Sequence, residues 1–279
     1  MNDDMKCSEP IAILMATYNG AAYLGEQIDS VLAQTSSQWH LYVHDDGSVD
    51  GTPEVLAQYM KRFPQQITVL HYPAQGGACR NFISMLEAVE ASYYMFADQD
   101  DVWLPEKVER TFARMRDLES RDGRCPILIH TDLYIVDAAL QVLSPSFVRD
   151  QQIRIDRIKT FEDYASTNTV TGCTALFNEQ AKLCMKRPCD KAMMHDSWIC
   201  LSVAASGGVV DYIDEPLVKY RQHGTNALGA TDLSKMTLLH KLRTIRQLIL
   251  ANMEHYDEMN AVRPISVLDY VRAKIRYKR

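Results

Sequence analysis

The sequence predicts an α/β protein: an open, mostly parallel, Rossmann-like sheet flanked by helices, with a helical tail behind it. Three observations predict this. Short apolar runs at 11–15, 40–44, 67–71 and 93–97 alternate with segments whose apolar residues repeat at helical spacing. Alternation of this kind builds a parallel sheet with helices on both faces. Polar clusters at 17–20, 45–48 and 98–101 follow three of the runs, at the strand ends where such sheets bind ligands.

Taken in order, Ile11 to Met15 is wholly apolar and reads as a buried strand. It breaks at Thr17-Tyr18-Asn19-Gly20, after which Leu24, Ile28, Val31 and Leu32 mark one face of a helix. His40 to His44 is the second strand, closed by Asp45-Asp46-Gly47-Ser48 and followed by a helix from about Thr52 to Phe63. Ile67 to His71 leads through Gly76-Gly77 into a helix over Asn81 to Glu90. Tyr93 to Ala97 runs directly into Asp98-Gln99-Asp100-Asp101. Beyond it the pattern predicts a helix from Pro105 to Leu118 and strands over Ile127 to His130 and Thr169 to Asn178. Helices near 179–186 and 196–205 and a strand over Val209 to Ile213 precede the segment Tyr220 to Asn226. From about Leu233 the chain reads as helix, with Leu238, Leu242, Ile245 and Ile249 on one face and Lys241, Arg243 and Arg246 elsewhere. Residues 8–230 are thus assigned to one domain and 231–279 to a basic amphipathic tail.

Composition narrows the class. At 279 residues, 47% apolar and 24% charged, the chain is an ordinary globular protein. No window approaches the roughly 20 apolar residues of a membrane span, and the acidic start is unlike a secretory signal. Seven scattered cysteines without CxxC spacing argue for reduced thiols, a cytoplasmic setting and no structural zinc. The net charge of −6 is uneven: from Thr231 onward ten bases face five acids, leaving an acidic body. That distribution excludes nucleic acid as the main partner. The tail is expected to pack on the domain or on a second subunit, as in a homodimer, with 272–279 as the contact to anionic lipid on the inner face of the plasma membrane.

The chemistry concentrates in a few residues. Asp98, Asp100 and Asp101 repel one another unless they are solvated or neutralised. At a strand end in a cleft, hard oxygen ligands suit Mg2+ or Mn2+ and leave positions for phosphate oxygens. The plainer reading is an acidic turn capping the next helix. At Asp45-Asp46-Gly47-Ser48 one aspartate can accept hydrogen bonds from a base or ribose, or simply form an Asx turn. Arg80-Asn81, and His130 with Asp132, are weaker candidates for nucleotide and acceptor contacts.

The ordered set Ala16-Thr17-Tyr18-Asn19, Asp45-Asp46-Gly47-Ser48 and Asp98-Gln99-Asp100-Asp101-Val102-Trp103 resembles family 2 glycosyltransferases of the A-type glycosyltransferase fold. The likeness continues at Thr171-Gly172-Cys173, His195-Asp196-Ser197-Trp198 and Tyr220-Arg221-Gln222-His223-Gly224-Thr225-Asn226, covering roughly residues 10–226. The forms DQDDVW and YRQHGTN look most like the rhamnosyltransferase-type branch of bacterial surface polysaccharide synthesis. The resemblance implies that Tyr18 stacks on the base, with Thr17 and Asp46 contacting the nucleoside. It places Asp98 against the ribose or donor sugar, Asp100 as principal metal ligand and His223 as the residue completing the metal or diphosphate site. Asp196 takes the catalytic-base position, Gly172 lies where the acceptor approaches, and Trp198 walls that side. The base motif reads His-Asp rather than the commoner Glu-Asp, so His195 stands beside the base with consequences for its basicity.

The implied reaction is inverting transfer of rhamnose, galactose or glucose from a dTDP- or UDP-sugar to a saccharide or lipid-linked saccharide acceptor. It needs a base at the acceptor hydroxyl and a cation at the departing diphosphate. Two other classes compete. A sugar nucleotidyltransferase would want a glycine-rich basic loop after the first strand, which Ala16 to Gly20 lacks. A non-catalytic sugar-nucleotide-binding module would need no carboxylate at Asp196.

Overall fold

The computed structural model describes residues 11–123, 125–185, 194–223 and 256–278. Strands β1 (Ile11–Thr17), β2 (Trp39–Asp45), β3 (Ile67–Val69) and β4 (Tyr93–Asp98) pair in parallel in the order β3-β2-β1-β4. The register decides where the polar clusters go. Thr17 lies opposite Asp45, and Ala16 opposite Asp98, so all three clusters emerge along one edge of the sheet. β1 shows why its run is apolar throughout. Ile11, Ile13 and Met15 enter the core on one face, and Ala12 and Leu14 the core on the other.

Helices α1 (Leu24–Leu32), α2 (Thr52–Arg62) and α3 (Ala78–Ala88) connect these strands. α1 buries Leu24, Gln27, Ile28 and Val31, one face at helical spacing. α2 has Pro53 in its first turn, where no amide partner is lost, and Lys61 and Arg62 in its last, where cations suit the dipole. The two-residue β5 (Val102–Trp103) then leads into α4 (Lys107–Asp122).

The second half of the sheet is mixed. It comprises β6 (Ile127–Val136), β7 (Val142–Ser144), β8 (Leu176–Asn178) and β9 (Val209–Arg221), and the full order is β3-β2-β1-β4-β8-β6-β9-β5 with β7 on β6. β8 runs antiparallel to both β4 and β6, while β6 and β9 are parallel. The strand expected over Thr169 to Asn178 is only its last three residues. Gly172–Thr174 curls into a 3-10 turn, with the Thr174 amide and hydroxyl both donating to the Thr171 carbonyl. Such local bonds compete with a ladder. β6 and β9 are conversely longer than expected. The buried polar residues His130, Thr131 and Asp132 continue β6, and a shift of register at Thr131/Asp132 accommodates them.

Short helices α5 (Phe147–Asp150), α6 (Phe161–Ser166), α7 (Glu179–Cys184) and the longer α8 (His195–Ala205) cover this half. α6 begins with a reciprocal capping box between Thr160 and Asp163. Residues 256–262 are helical and are followed by a C-terminal helix, Val267–Lys278. Met259, Ile265 and Tyr270 pack with Phe161, Ala165 and Leu201 in a third core. The apolar face expected at Leu238 to Ile249, with Lys241, Arg243 and Arg246, and the segment Gly224 to Asn226 lie outside the described residues. Among the described residues no helix is long and apolar enough to cross a membrane.

Candidate active site

The loops at the edge are stitched to one another by side chains. After β1 the Asn19 amide donates to Ser48 Oγ, the Gly20 amide to Thr52 Oγ1, and the Ala21 amide to Asp50 Oδ2. Gln99 closes a reciprocal pair with Tyr18, its Oε1 accepting from the Tyr18 amide at 2.8 Å and its Nε2 donating to the Tyr18 carbonyl at 3.0 Å. A Cβ at Gly20 would sit 2.1 Å from Gln99 Oε1, so a larger residue there would push the Gln99 side chain off its two bonds to Tyr18.

Asp98, Asp100 and Asp101 face different surroundings. Asp101 is 0% exposed; its Oδ1 accepts from the Arg221 amide, and the Cys173 thiol hydrogen-bonds it. Burial and the adjacent carboxylates of Asp98 and Asp100 push its carboxyl well up. Beneath it lies Lys107, 0% exposed, with Nζ 3.3 Å from the centre of the Trp103 ring and its pKa pushed down to about 7 by burial. Asp98 and Asp100 are partly exposed. Asp100 Oδ2 lies 2.8 Å from His223 Nε2, and the His223 ring stacks at 4.8 Å on Tyr23. Asp98 is pushed up by burial, then by Asp100, then by Asp196, so it stands electrostatically between the other two.

The donor set suits a hard divalent cation on the open side. Asp98, Asp101 and Cys173 bring ligand atoms within 4.8 Å of one another. Burial and Asp101 keep Cys173 a protonated thiol, and Asp101 faces inward, so neither suits an ion that a diphosphate must reach. Asp100 and His223, with Asp98 adjacent, are the accessible donors. The Asp45 to Ser48 turn divides its work. Asp45 accepts from Thr17 Oγ1 and from the Ser48 amide and hydroxyl. Asp46 accepts from the amides of Gln75, Gly76 and Gly77, where φ of +75° and +137° lets the backbone curl around the carboxylate.

Asp196 opens α8. It is 8% exposed, its Oδ2 accepting from the Gly172 amide at 3.0 Å and its Oδ1 from the Ser197 amide at 2.6 Å. Burial dominates over those two bonds, and with the charge of Glu258 it raises the carboxyl to about 6. A Cβ at Gly172 would lie 2.6 Å from His195 Nε2, which explains a glycine there. His195 is 3% exposed, stacked on Phe82 at 4.0 Å and edge-on to Phe96 at 4.6 Å. Burial pushes its pKa down to about 3, so it is a neutral packing ring rather than a charged neighbour of the base.

The expected nucleoside residues differ in availability. Tyr18 is 57% exposed at the cleft rim. Thr17 is 1% exposed with its hydroxyl engaged by Asp45, and Asp46 is occupied by the 75–77 loop. Trp198, expected as an acceptor wall, is 2% exposed inside the molecule, because α8 is buried along nearly its whole length. His130 and Asp132 are also interior: Asp132 accepts from the Leu133 and Val148 amides and the Ser146 hydroxyl, fixing α5. Asn81 is buried against His44 at 2.7 Å, while Arg80 is exposed.

Two contributors carry no obvious sequence signal. Arg221, 2% exposed, donates from Nε to the Asp100 carbonyl and from its terminal nitrogens to the Ala138 carbonyl and Glu26, and lies over the Tyr23 ring. Its place beside His223 was the one available hint. Glu258, 0% exposed, accepts from Ser197 Oγ at 3.1 Å and comes from beyond the motif-bearing region.

Comparison with known proteins matches residues 12–181 to the model of glycosyl transferase family 2. A dTDP-rhamnosyl transferase, RfbG, of Shigella flexneri is 26% identical over 228 residues, 77% of this chain and 74% of that protein. The putative teichuronic acid biosynthesis glycosyltransferase TuaG of Bacillus subtilis is 27% identical over 176 residues, 56% of this chain and 69% of its own. Among solved structures, TarS 1-349 of S. aureus with UDP-GlcNAc superposes with TM-score 0.59 at 14% identity, covering 95% of this chain and 79% of that one. A Pyrobaculum calidifontis mannosyltransferase, PcManGT, with GDP-Man and Mn2+ gives 0.62 at 15% identity, covering 99% and 74%. The sheet and its flanking helices therefore form an A-type glycosyltransferase fold, and the chain belongs to glycosyl transferase family 2.

Proposed function

We propose that this protein transfers a sugar, with inversion, from a nucleoside diphosphate to a saccharide acceptor in the synthesis of a bacterial surface polysaccharide. The observation that carries the reading is the pairing of His223 with Asp100 at 2.8 Å on the ligand-binding edge of the sheet, next to Asp98, with the buried carboxylate of Asp196 on α8 held by two backbone amides. Asp196 receives the acceptor hydroxyl's proton: its raised pKa makes it a stronger base than an exposed aspartate while leaving it ionised at neutral pH. The amides of Gly172 and Ser197 hold the carboxylate in place.

Asp100 and His223, with Asp98 adjacent, would hold Mn2+ or Mg2+. When bound, the cation offsets negative charge on the departing diphosphate. Tyr18 offers an exposed ring for the base, and Asp46 reaches the nucleoside once it exchanges its bonds to the 75–77 loop. The name of the similar Shigella flexneri protein favours dTDP-rhamnose as donor, with UDP-galactose or UDP-glucose as the second choice.

Calorimetric titration with dTDP and UDP, each with and without Mn2+, tests the donor half. Metal-dependent binding of one nucleotide is expected. Absence of binding by folded protein would overturn it. Asp196→Asn tests the other half: turnover should fall ~10²–10⁴-fold with nucleotide affinity kept. Unchanged turnover would remove Asp196 as the base and favour another acceptor-side group.

A further inference from the structure

The C-terminal helix Val267–Lys278 is two-sided in an unusual way. Tyr270 and Ala273, 7% and 0% exposed, anchor it, Tyr270 joining the core with Phe161, Leu201, Met259 and Ile265. Yet Val267, Leu268, Val271 and Ile275 are 61%, 57%, 44% and 49% exposed, and together they make up four of the nine large exposed apolar side chains among the described residues. At 3.6 residues per turn these four positions fall within an arc of about 100°, turned away from the anchored face. Lys274 and Arg272 stand at helical positions on the two borders of that arc. Lys274 Nζ lies 4.9 Å from the Tyr270 ring centre, and Arg272 makes only an exposed contact to Asp269 at 3.4 Å. Arg276, Lys278 and Arg279 follow in the sequence, so this stretch carries five bases and one acid within a protein of net charge −6.

We propose that this stripe is a docking surface for an anionic lipid membrane, the four apolar side chains entering the headgroup boundary and the bordering bases meeting lipid phosphates. An apolar arc bordered by cations is the pattern of a helix lying in a membrane interface. A second copy of the chain fits less well. It would set like-charged borders against each other, and four side chains cover little of the ~800 Å² per partner of a stable interface. The surface also has a functional neighbour. The same helical layer reaches α8 through Leu201 and through the Ser197–Glu258 bond, one residue from Asp196. Resting on the transferase reading above, this places the base-bearing end of α8 beside the layer that meets the membrane, as a lipid-borne acceptor requires.

Sedimentation of the full-length protein with phosphatidylcholine vesicles, with or without 25% phosphatidylglycerol, tests the surface. Binding to the anionic vesicles is expected at 0.1 M NaCl, at least tenfold weaker to the neutral ones and on raising salt to 0.5 M. Val271→Gln with Ile275→Gln should lose tenfold or more of that binding, as should Arg272→Gln with Lys274→Gln. Val271, Arg272 and Ile275 are exposed and Lys274 is half-buried against Tyr270, so circular dichroism melts of each variant check folding. Nucleotide binding by calorimetry is retained in both variants, which separates failure of the surface from failure of the transferase reading. No anionic vesicle binding by the parent protein overturns the proposal, as does binding that both variants keep. A variant that turns a dimer into a monomer at unchanged vesicle binding also overturns it, by assigning the stripe to a second copy.

Discussion

At the residue scale, Asp196 holds two opposing properties. Burial raises its pKa to about 6, so the ionised carboxylate is held where the fold disfavours it. Catalysis and stability then respond to pH in opposite directions. Because the folded pKa lies above the unfolded one, the stability linked to this group is full below about pH 4 and lost as pH rises through about 6. The base works only above that range. We expect the acid limb of kcat/KM to have an apparent pKa near 6. Asp196→Asn should show the ~10²–10⁴-fold loss of turnover given above, and its melting temperature relative to the parent should rise between about pH 4 and pH 7.5. Glu258 is the sharper probe, since it adds negative charge to the base from 0% exposure without meeting the acceptor. Glu258→Gln should shift the acid limb to lower pH and reduce the rate above it, because the base is weakened. A merely structural role would change the melting temperature and leave the limb in place.

At the scale of elements, the site depends on loops that belong to different strands and are tied by side chains. Arg221 at the end of β9 joins the Asp100 carbonyl, the β6–β7 turn at Ala138 and Glu26 of α1. Arg221→Met keeps much of the bulk but removes the hydrogen bonds of a buried guanidinium to two part-buried carbonyls and to Glu26, so unfolding free energy should drop by about 1–3 kcal/mol in urea titrations. The donor KM should rise with it, because Asp100 and His223 both hang from this staple. Gly20→Ala drives a Cβ into Gln99 and should cost about 1–3 kcal/mol, with Gln99→Ala restoring part of it in a double-mutant cycle. These links mark where reading the sequence succeeds. β1 to β4 and α1 to α3 were legible because three of the four strands end in a polar cluster and short apolar runs alternate with apolar residues at helical spacing. β8 was overcalled because apolar content cannot separate a strand from the Gly172–Thr174 turn that precedes it. β6 and β9 were undercalled because buried polar residues such as His130 and Asp132 look like strand ends. The juxtaposition of Asp100 with His223 was available only through the resemblance, since nothing in their spacing brings residues 123 positions apart together. Trp198 looked exposed in a motif, but α8 is buried on nearly all sides. Glu258 lies outside every motif, and only tertiary packing brings it to Asp196.

At the scale of the whole molecule, the parallel half of the sheet presents Asp98 and Asp100, while Asp196 comes from α8 behind the mixed half. Folding therefore assembles carboxylates from both halves, within a chain already at net charge −6. Burial raises Asp98, Asp101 and Asp196, with Asp100 adding to the first two and Glu258 to the third, so ionising them weakens the fold as pH climbs from about 4 towards neutrality. A divalent cation held by Asp100 and His223 with Asp98 adjacent, as proposed above, would offset part of that cost by favouring the ionised form of Asp98. At a hundredfold excess over its Kd such a ligand stabilises by about 2.7 kcal/mol, a rise in Tm of roughly 5–10 °C for a domain of this size. Protons compete for the Asp98 carboxylate beside the ion, whose pKa is pushed up to about 7 by burial and by Asp100, so the rise must shrink as pH falls. Differential scanning fluorimetry with Mn2+ at pH 8 and pH 5 is expected to show the larger increase at pH 8, reduced by Asp100→Asn. A shift of equal size at both pH values, or one untouched by Asp100→Asn, would place the ion elsewhere and separate metal binding from the aspartate loop.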